Sequence, residues 1–294
     1  METAQAYLNR FAEVYSQADG AAYADLFDSP MLYYADEGVE IAPDAAALAA
    51  RIARVQAAAA DMEVKGYRVE LLAERPFGGN LLAVRVETNA RFADGAHSDP
   101  YAEMWLLRHR PDGRLAMAAA VNPISTALFR LPVGACVRLD GEGLPVPPAE
   151  LGTDRGVRRL VQAMTDSFNR GDAMAQARLM CVPNAKIGDT GSAVMTSPDA
   201  VSRRARLFFD KLAVFGGAHL HQQLMFVRPF GACLLAARVE VTATLADGRA
   251  CEPMQELWII RHSDAGALRI CAFVNPFSPR FVPELAPDTL GVRS

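Results

Sequence analysis

The sequence predicts an α+β chain built as two copies of one domain, and three observations predict it. First, the chain repeats itself: residues 75–125 align with 228–278 at a constant offset of 153, without gaps, and 26 of the 51 positions are identical. A period this long is a whole duplicated domain, not a solenoid repeat. Second, each half opens with helical periodicity and continues as a curved antiparallel meander of strands, an order that argues for α+β and against alternating α/β units. Third, each half carries an Asp-Gly pair between two alternating apolar runs, Asp94-Gly95 and Asp247-Gly248, which is a hairpin signal.

The elements follow in order. Leu8, Phe11, Ala12 and Tyr15, then Tyr23, Leu26 and Phe27, recur at three- and four-residue steps around an Asp19-Gly20 break. Leu160, Val161, Met164 and Phe168 repeat the pattern before Gly171-Asp172. Short strands are expected at 31–35 and 184–188, and further helices after Pro43-Asp44 and Pro198-Asp199, since Pro and Asp suit a first turn. Strands follow at 67–74, 80–92, 97–110 and 114–122, with counterparts at 219–227, 233–245, 250–263 and 267–275. The domains are read as 1–126 and 156–280, joined by a Pro- and Gly-rich linker at 127–155 and followed by a tail at 281–294.

The hairpin count fixes faces. With Asp94 and Gly95 as a two-residue loop, Thr88 faces Tyr101, Val86 faces Glu103 and Val84 faces Trp105. Directly opposed residues share a sheet face, so Glu103 sits with Val84, Val86 and Trp105. The same count sets Glu256 beside Ala237, Val239 and Trp258. Arg85, Glu87, Arg238 and Glu240 fall on the other face, as an ion-pair network between the sheets or a wet surface. A three-residue loop would flip every assignment.

Composition narrows the function classes. The net charge is −4, 51% of residues are hydrophobic and 22% are charged. That balance argues against disorder and against a basic field for nucleic acid or an anionic membrane. No apolar stretch reaches the roughly 18 residues of a bilayer span. The first residues lack the pattern of a secretory signal, so a soluble cytoplasmic protein is expected. Five cysteines, none in a C-x-x-C pair and none before Cys136, read as reduced thiols packed like small hydrophobes. Phosphate loops, dinucleotide fingerprints, G-x-S-x-G and H-E-x-x-H are missing as contextual motifs, so no cofactor is expected.

The residues that carry a likeness are the opening helix with Asp19 and Leu26-Phe27, the Pro43-Asp44 helix start, the Asp94-Gly95 hairpin, Glu103-x-Trp105, the Asp112-Gly113 turn and the final Asn122-Pro123-Ile124-Ser125, in this order and largely duplicated in the second half. This arrangement resembles the nuclear transport factor 2-like superfamily, and within it the SnoaL-like group. The resemblance covers about 1–125 and 156–280. It implies a cystatin-like cone in each half, a sheet curved around helices to leave a pocket, and a pseudo-dimer within one chain, with further homo-oligomers allowed. It also implies cofactor-independent enzymes or non-catalytic binding modules. The ketosteroid isomerase pattern fits poorly, because Phe11 and Met164 stand where that group places its tyrosine. Its general-base carboxylate falls near Asp36 and Asp189.

Glu103 and Glu256 are the first candidates. A carboxylate facing an apolar pocket is desolvated, and its pKa rises toward the range useful for proton transfer at neutral pH. The alternative is a carboxylate fixed by an Arg or backbone donor that only sets the sheet. Trp105 and Trp258 would wall the same face and stack on a planar ligand. Asp36 and Asp189 would be bases at the cone's mouth, or ordinary turn residues. Tyr33 or Tyr34 would add a proton donor, a feature that Lys186 and Ile187 do not repeat. Asn122 and Asn275 would touch the ligand, or simply end a strand. His109 and His262, at strand ends, read as solvated or capping groups. His219-x-His221 puts two imidazoles on one strand face, but no third ligand follows, so no metal is expected.

The expected function is therefore a cofactor-independent acid–base enzyme of isomerase, cyclase or dehydratase type, acting on a small, largely apolar ligand. The alternative is a non-catalytic module of the same fold that binds a small molecule or another protein.

Overall fold

A computed structural model describes residues 1–17, 20–36, 38–122, 141–213, 217–246, 248–250, 252–263 and 265–275. The chain divides into two compact units that follow the two halves, except that Phe230–Ala232 belong to the first unit. Asp19, Cys136, Asp247, Cys251, residues 127–140 of the expected linker and the tail 281–294 lie outside the described residues.

In the first unit, α1 (Ala4–Gln17) buries Ala4, Tyr7, Leu8, Phe11 and Tyr15, the stripe that its periodicity predicts. Tyr7 donates its hydroxyl to the Leu26 carbonyl at 2.9 Å and ties the helix to the segment ahead of the sheet. A short α2 (Gly20–Ala24) leads into β1 (Phe27–Ala35) and β2 (Gly38–Ala42). Asp44 caps α3 (Ala45–Asp61), accepting from the Ala47 N–H at 2.8 Å. This helix buries Leu48, Arg51, Ile52, Val55 and Ala59, an apolar stripe interrupted by one arginine. Then come β3 (Val64–Pro76), β4 (Leu81–Phe92), β5 (Tyr101–His109) and β6 (Leu115–Val121).

The second unit repeats this order. Its helices are α4 (Asp154–Asn169), α5 (Ala173–Arg178) and α6 (Pro198–Ala213), capped by Thr153, Asp172 and Ser197. Its strands are β8 (Met180–Ile187), β9 (Ser192–Met195), β10 (Ala218–Pro229), β11 (Leu234–Leu245), β12 (Met254–His262) and β13 (Ala267–Val274). Ahead of α4 a short β7 (Leu144–Pro145) pairs with β13, and Val146 is buried in the second core. Residues 144–146, within the stretch read as a linker, are thus packed on this unit.

The sheet orders match: β2-β1-β6-β5-β4-β3 in one unit and β9-β8-β13-β12-β11-β10 in the other. The sheets are mixed, a correction to the antiparallel expectation. In each unit the strand that follows the opening helices pairs parallel with the last strand, β1 with β6 and β8 with β13. Both pairs carry a register shift.

The hairpin loop is also corrected. Phe92 donates to the Ala96 carbonyl and Gly95 to the Phe92 carbonyl, so Ala93, Asp94 and Gly95 form a three-residue loop, with Gly95 at φ 85°. The predicted face assignment survives because one extra residue lies between Ser98 and the start of β5. Ala90 lies opposite Ser98, whereas Thr88 pairs with Tyr101, Val86 with Glu103 and Val84 with Trp105. In the second unit Thr244 bridges Ala250, yet Val239 pairs with Glu256 and Ala237 with Trp258.

Candidate functional site

Alternation along β4 and β5 turns Val84, Val86, Glu103 and Trp105 to one face, and the helices cover that face without filling it. A cavity of about 560 Å³ remains. Phe11 and Tyr15 reach it from α1, Tyr33 from β1, Arg51 and Val55 from α3, Glu103 and Trp105 from β5, and Asn122 from the end of β6. The second unit holds a cavity of about 980 Å³ in the same place. Its lining answers the first at the 153-residue offset: Met164 for Phe11, Phe168 for Tyr15, Lys186 for Tyr33, Arg204 for Arg51, Glu256 for Glu103 and Asn275 for Asn122. Tyr23, Phe27 and Tyr67 give way to Gln176, Met180 and Leu220. Fewer rings and more unbranched side chains accompany the larger volume.

Both glutamates are buried and both are held by the indole two residues on. Trp105 Nε1 donates to Glu103 Oε2 at 2.9 Å, and Trp258 Nε1 to Glu256 Oε2 at 2.7 Å. Asn275 Nδ2 donates to the other oxygen of Glu256. Burial pushes the Glu103 carboxyl above the ordinary range, against hydrogen bonding from Trp105, Asn122 and Tyr101. Burial also raises Glu256, against Trp258, the Lys186 charge and Asn275. The opposing groups differ in kind: they are neutral around Glu103, whereas Glu256 has a cation within range.

The cations differ more. In the first unit Arg51 Nε donates to Glu40 Oε2 at 2.8 Å, and the guanidinium lies 3.1 Å above the centre of the Tyr33 ring. Arg54 Nη2 meets the other Glu40 oxygen at 2.5 Å. Burial raises the Tyr33 hydroxyl to about 12, with Arg51 opposing. In the second unit the residue opposite Lys186 is Ala193, as Glu40 is opposite Tyr33. Burial pushes the Lys186 ammonium well below its usual value, and the Arg204 charge pushes it the same way. Burial alone draws Arg204 down to about 10.

The remaining candidates separate. Trp105 and Tyr33 line the first cavity, and Asn122 and Asn275 line one each. Trp258 is fully buried behind Glu256, packed on Phe273 with ring centres 5.4 Å apart, and is not part of the cavity wall. Tyr34 points to the other face of β1 and is core. Asp36 and Asp189 stand in the turns that follow β1 and β8, outside both linings. His109 Nε2 lies 2.9 Å from the Glu2 carbonyl, at the strand's end. His219 and His221 are exposed, and among the described residues no three His, Cys, Asp or Glu cluster as a metal site. Cys181 and Cys271 are buried thiols with sulfurs 3.0 Å apart, and Cys233 is a half-buried thiol. Arg85, Glu87, Arg238 and Glu240 are half-buried on the faces opposite the cavities.

Among the pocket residues missing from the sequence-based candidates are the arginines Arg51 and Arg204. Their signal was present: each interrupts an apolar helical stripe, Leu48-Arg51-Ile52-Val55 and Val201-Arg204-Ala205-Phe208.

No family model matches the chain, and no curated protein sequence matches it. Solved structures do, each over about half of it. One is a domain of unknown function with a cystatin-like fold from Nostoc punctiforme: 18% identity, 51% of this chain, 90% of that chain, TM-score 0.38. A ketosteroid isomerase-like protein from Erwinia carotovora atroseptica is similar at 22% identity, over 45% of this chain and 100% of its own, with TM-score 0.33. An NTF-2 like protein of unknown function from Shewanella oneidensis is similar at 11% identity, over 39% and 91%, with TM-score 0.33. Among the described residues no helix is long and apolar enough to cross a membrane.

Proposed function

We propose that the second unit is a cofactor-independent acid–base enzyme acting on a small, largely apolar molecule, with Glu256 as the proton-transfer group. The observation that carries this reading is a buried carboxylate, raised above its ordinary pKa, at the wall of the larger of the two cavities, which is lined by methionines and phenylalanines. The Glu256 carboxylate takes a proton from a C–H or O–H of the bound molecule and returns it at another atom. In isomerisation the proton returns to another atom of the same molecule, in cyclisation it goes to the carbonyl oxygen that the new C–C bond leaves negative, and in dehydration it goes to the departing hydroxyl, which leaves as water; none of these is a net redox change or needs a group carrier. Trp258 holds one carboxylate oxygen and Asn275 the other, which fixes the orientation of the base.

A different observation favours the non-catalytic alternative for the first unit. Arg51 spans from Glu40 to the face of Tyr33 beside a narrower, ring-lined cavity, and Glu103 faces neutral donors. That unit is read as a binding module.

Deuterium exchange into 2-tetralone, followed by mass spectrometry in D2O, tests both readings. Wild-type protein should speed exchange at the carbons beside the carbonyl. Glu256→Gln should lose about 100-fold or more of that rate, the scale of a positioned general base, and Glu103→Gln should keep at least half. Exchange no faster than in buffer, or a Glu256→Gln variant equal to wild type, would sink the enzyme reading.

A further inference from the structure

The two cavities share a plan but not a charge. In the first, the cation contributed by the long helix is neutralised in place: Arg51 is paired to Glu40 and stacked on Tyr33. Two substitutions remove that arrangement from the second copy. Lys186 stands where Tyr33 does, so a cation replaces the ring, and Ala193 stands where Glu40 does, so the carboxylate is gone. Arg204 keeps the place of Arg51. It sits between Val201, Ala205 and Phe208 on the helix face that lines the cavity, and among the described residues no ion pair of Arg204 is found. The charged side chains lining the larger cavity are therefore two cations and one carboxylate.

We propose that the second-unit cavity takes a ligand with an apolar body and one anionic group, a carboxylate being the simplest, with Arg204 and Lys186 receiving the anion and Phe168, Phe208 and Phe273 holding the body. Half-buried positive charge in excess of the carboxylate lining the same cavity is costly, and an incoming anion supplies a counter-charge for Arg204, which has no ion pair among the described residues. A planar guanidinium also matches a carboxylate with two parallel hydrogen bonds. This deepens the reading of the cavity as a ligand site, and it names a class of substrate for the chemistry proposed at Glu256.

Isothermal titration calorimetry with matched pairs tests it: 2-naphthoate against 2-naphthamide, and decanoate against decanamide. Wild-type protein should bind at least one acid ten-fold or more tightly than its amide. Arg204→Gln should erase most of that preference. Arg204→Lys should keep part of it, and Arg203→Gln, which alters an exposed neighbour on the same helix, should leave it intact. Thermal unfolding of each variant identifies any that fails to fold. Equal affinity for acid and amide, an equal loss in Arg203→Gln, or no binding of either pair overturns the inference. Its failure is separable from that of the enzyme reading. The preference should persist or grow in Glu256→Gln, whereas proton exchange should vanish there, so each measurement can fail without the other.

Discussion

Trp258 Nε1 and Glu256 Oε2 lie 2.7 Å apart, on residues that alternate to the same face of β12. The indole donates to the charged form of the carboxylate and therefore opposes the effect of burial, which raises the pKa. A hydrogen bond to a charged group contributes about 1.5–3 kcal/mol, and one pKa unit is about 1.4 kcal/mol. In Trp258→Phe the acid limb of the exchange rate against pH should therefore move up by about one unit. A limb that stays in place, or moves down, would show that the indole does not set the acidity of Glu256.

Trp105 Nε1 donates to Glu103 in the same way in the first unit, where burial still wins and holds the carboxyl above its ordinary value of 4.5. The folded state then holds a proton that the unfolded chain has released. By linkage, stability falls as pH rises from the unfolded pKa through the folded one. Glutamine does not titrate, so Glu103→Gln lacks this fall. The difference in unfolding free energy, variant minus wild type, should climb with pH from about 4.5 and level off above the folded pKa. Urea denaturation at a series of pH values measures it, and a flat difference would mean that Glu103 is not raised.

The faces of Glu103 and Glu256 were legible because alternation along a strand is strict and both halves carry the same Asp-Gly pair. The loop itself was not. Gly95 closes a three-residue turn, and only the extra residue near Asp99-Pro100 returns Val86 to Glu103. Two local departures cancel, and neither leaves a hydropathy signal. The parallel pairing of β1 with β6 was also silent, since it joins strands far apart in sequence. Alternation gives a face but not a depth, so Trp258 could be placed beside Glu256 while its position behind the cavity wall could not. Arg51 and Arg204 were passed over because an arginine-rich composition hides two that sit on apolar stripes.

Arg51 and Glu40 form a pair whose side chains are each 7% exposed. Removing one member strands the other, which costs about 3–5 kcal/mol for a buried pair, whereas replacing both with apolar groups is often close to neutral. Arg54 also touches Glu40, from a side chain that is 42% exposed, and covers part of the loss. Arg51→Met should therefore destabilise the protein by about 3 kcal/mol, and Arg51→Met combined with Glu40→Met should recover most of it. Urea unfolding of the two variants checks this. A double variant as unstable as the single one would show that the pair, and not merely its balance, holds the first unit together.

The comparison of the two units predicts the effect of transplanting the clamp. Lys186→Tyr supplies the ring and Ala193→Glu the carboxylate that Arg51 has in the first unit, at positions paired across the same two strands. Arg204, which burial draws down to about 10, would then gain a counter-charge and an aromatic face. The double variant should be more stable than wild type by about 1–2 kcal/mol, less than the cost of breaking a natural buried pair because Arg204 is only half-buried. Most of that gain should disappear when Arg204→Gln is added, since the coupling runs through the guanidinium. With the cation neutralised internally, the preference for 2-naphthoate over 2-naphthamide should fall as well. A gain in stability that survives Arg204→Gln would trace to packing of the two introduced side chains alone, and the charge difference between the cavities would then not be what distinguishes them.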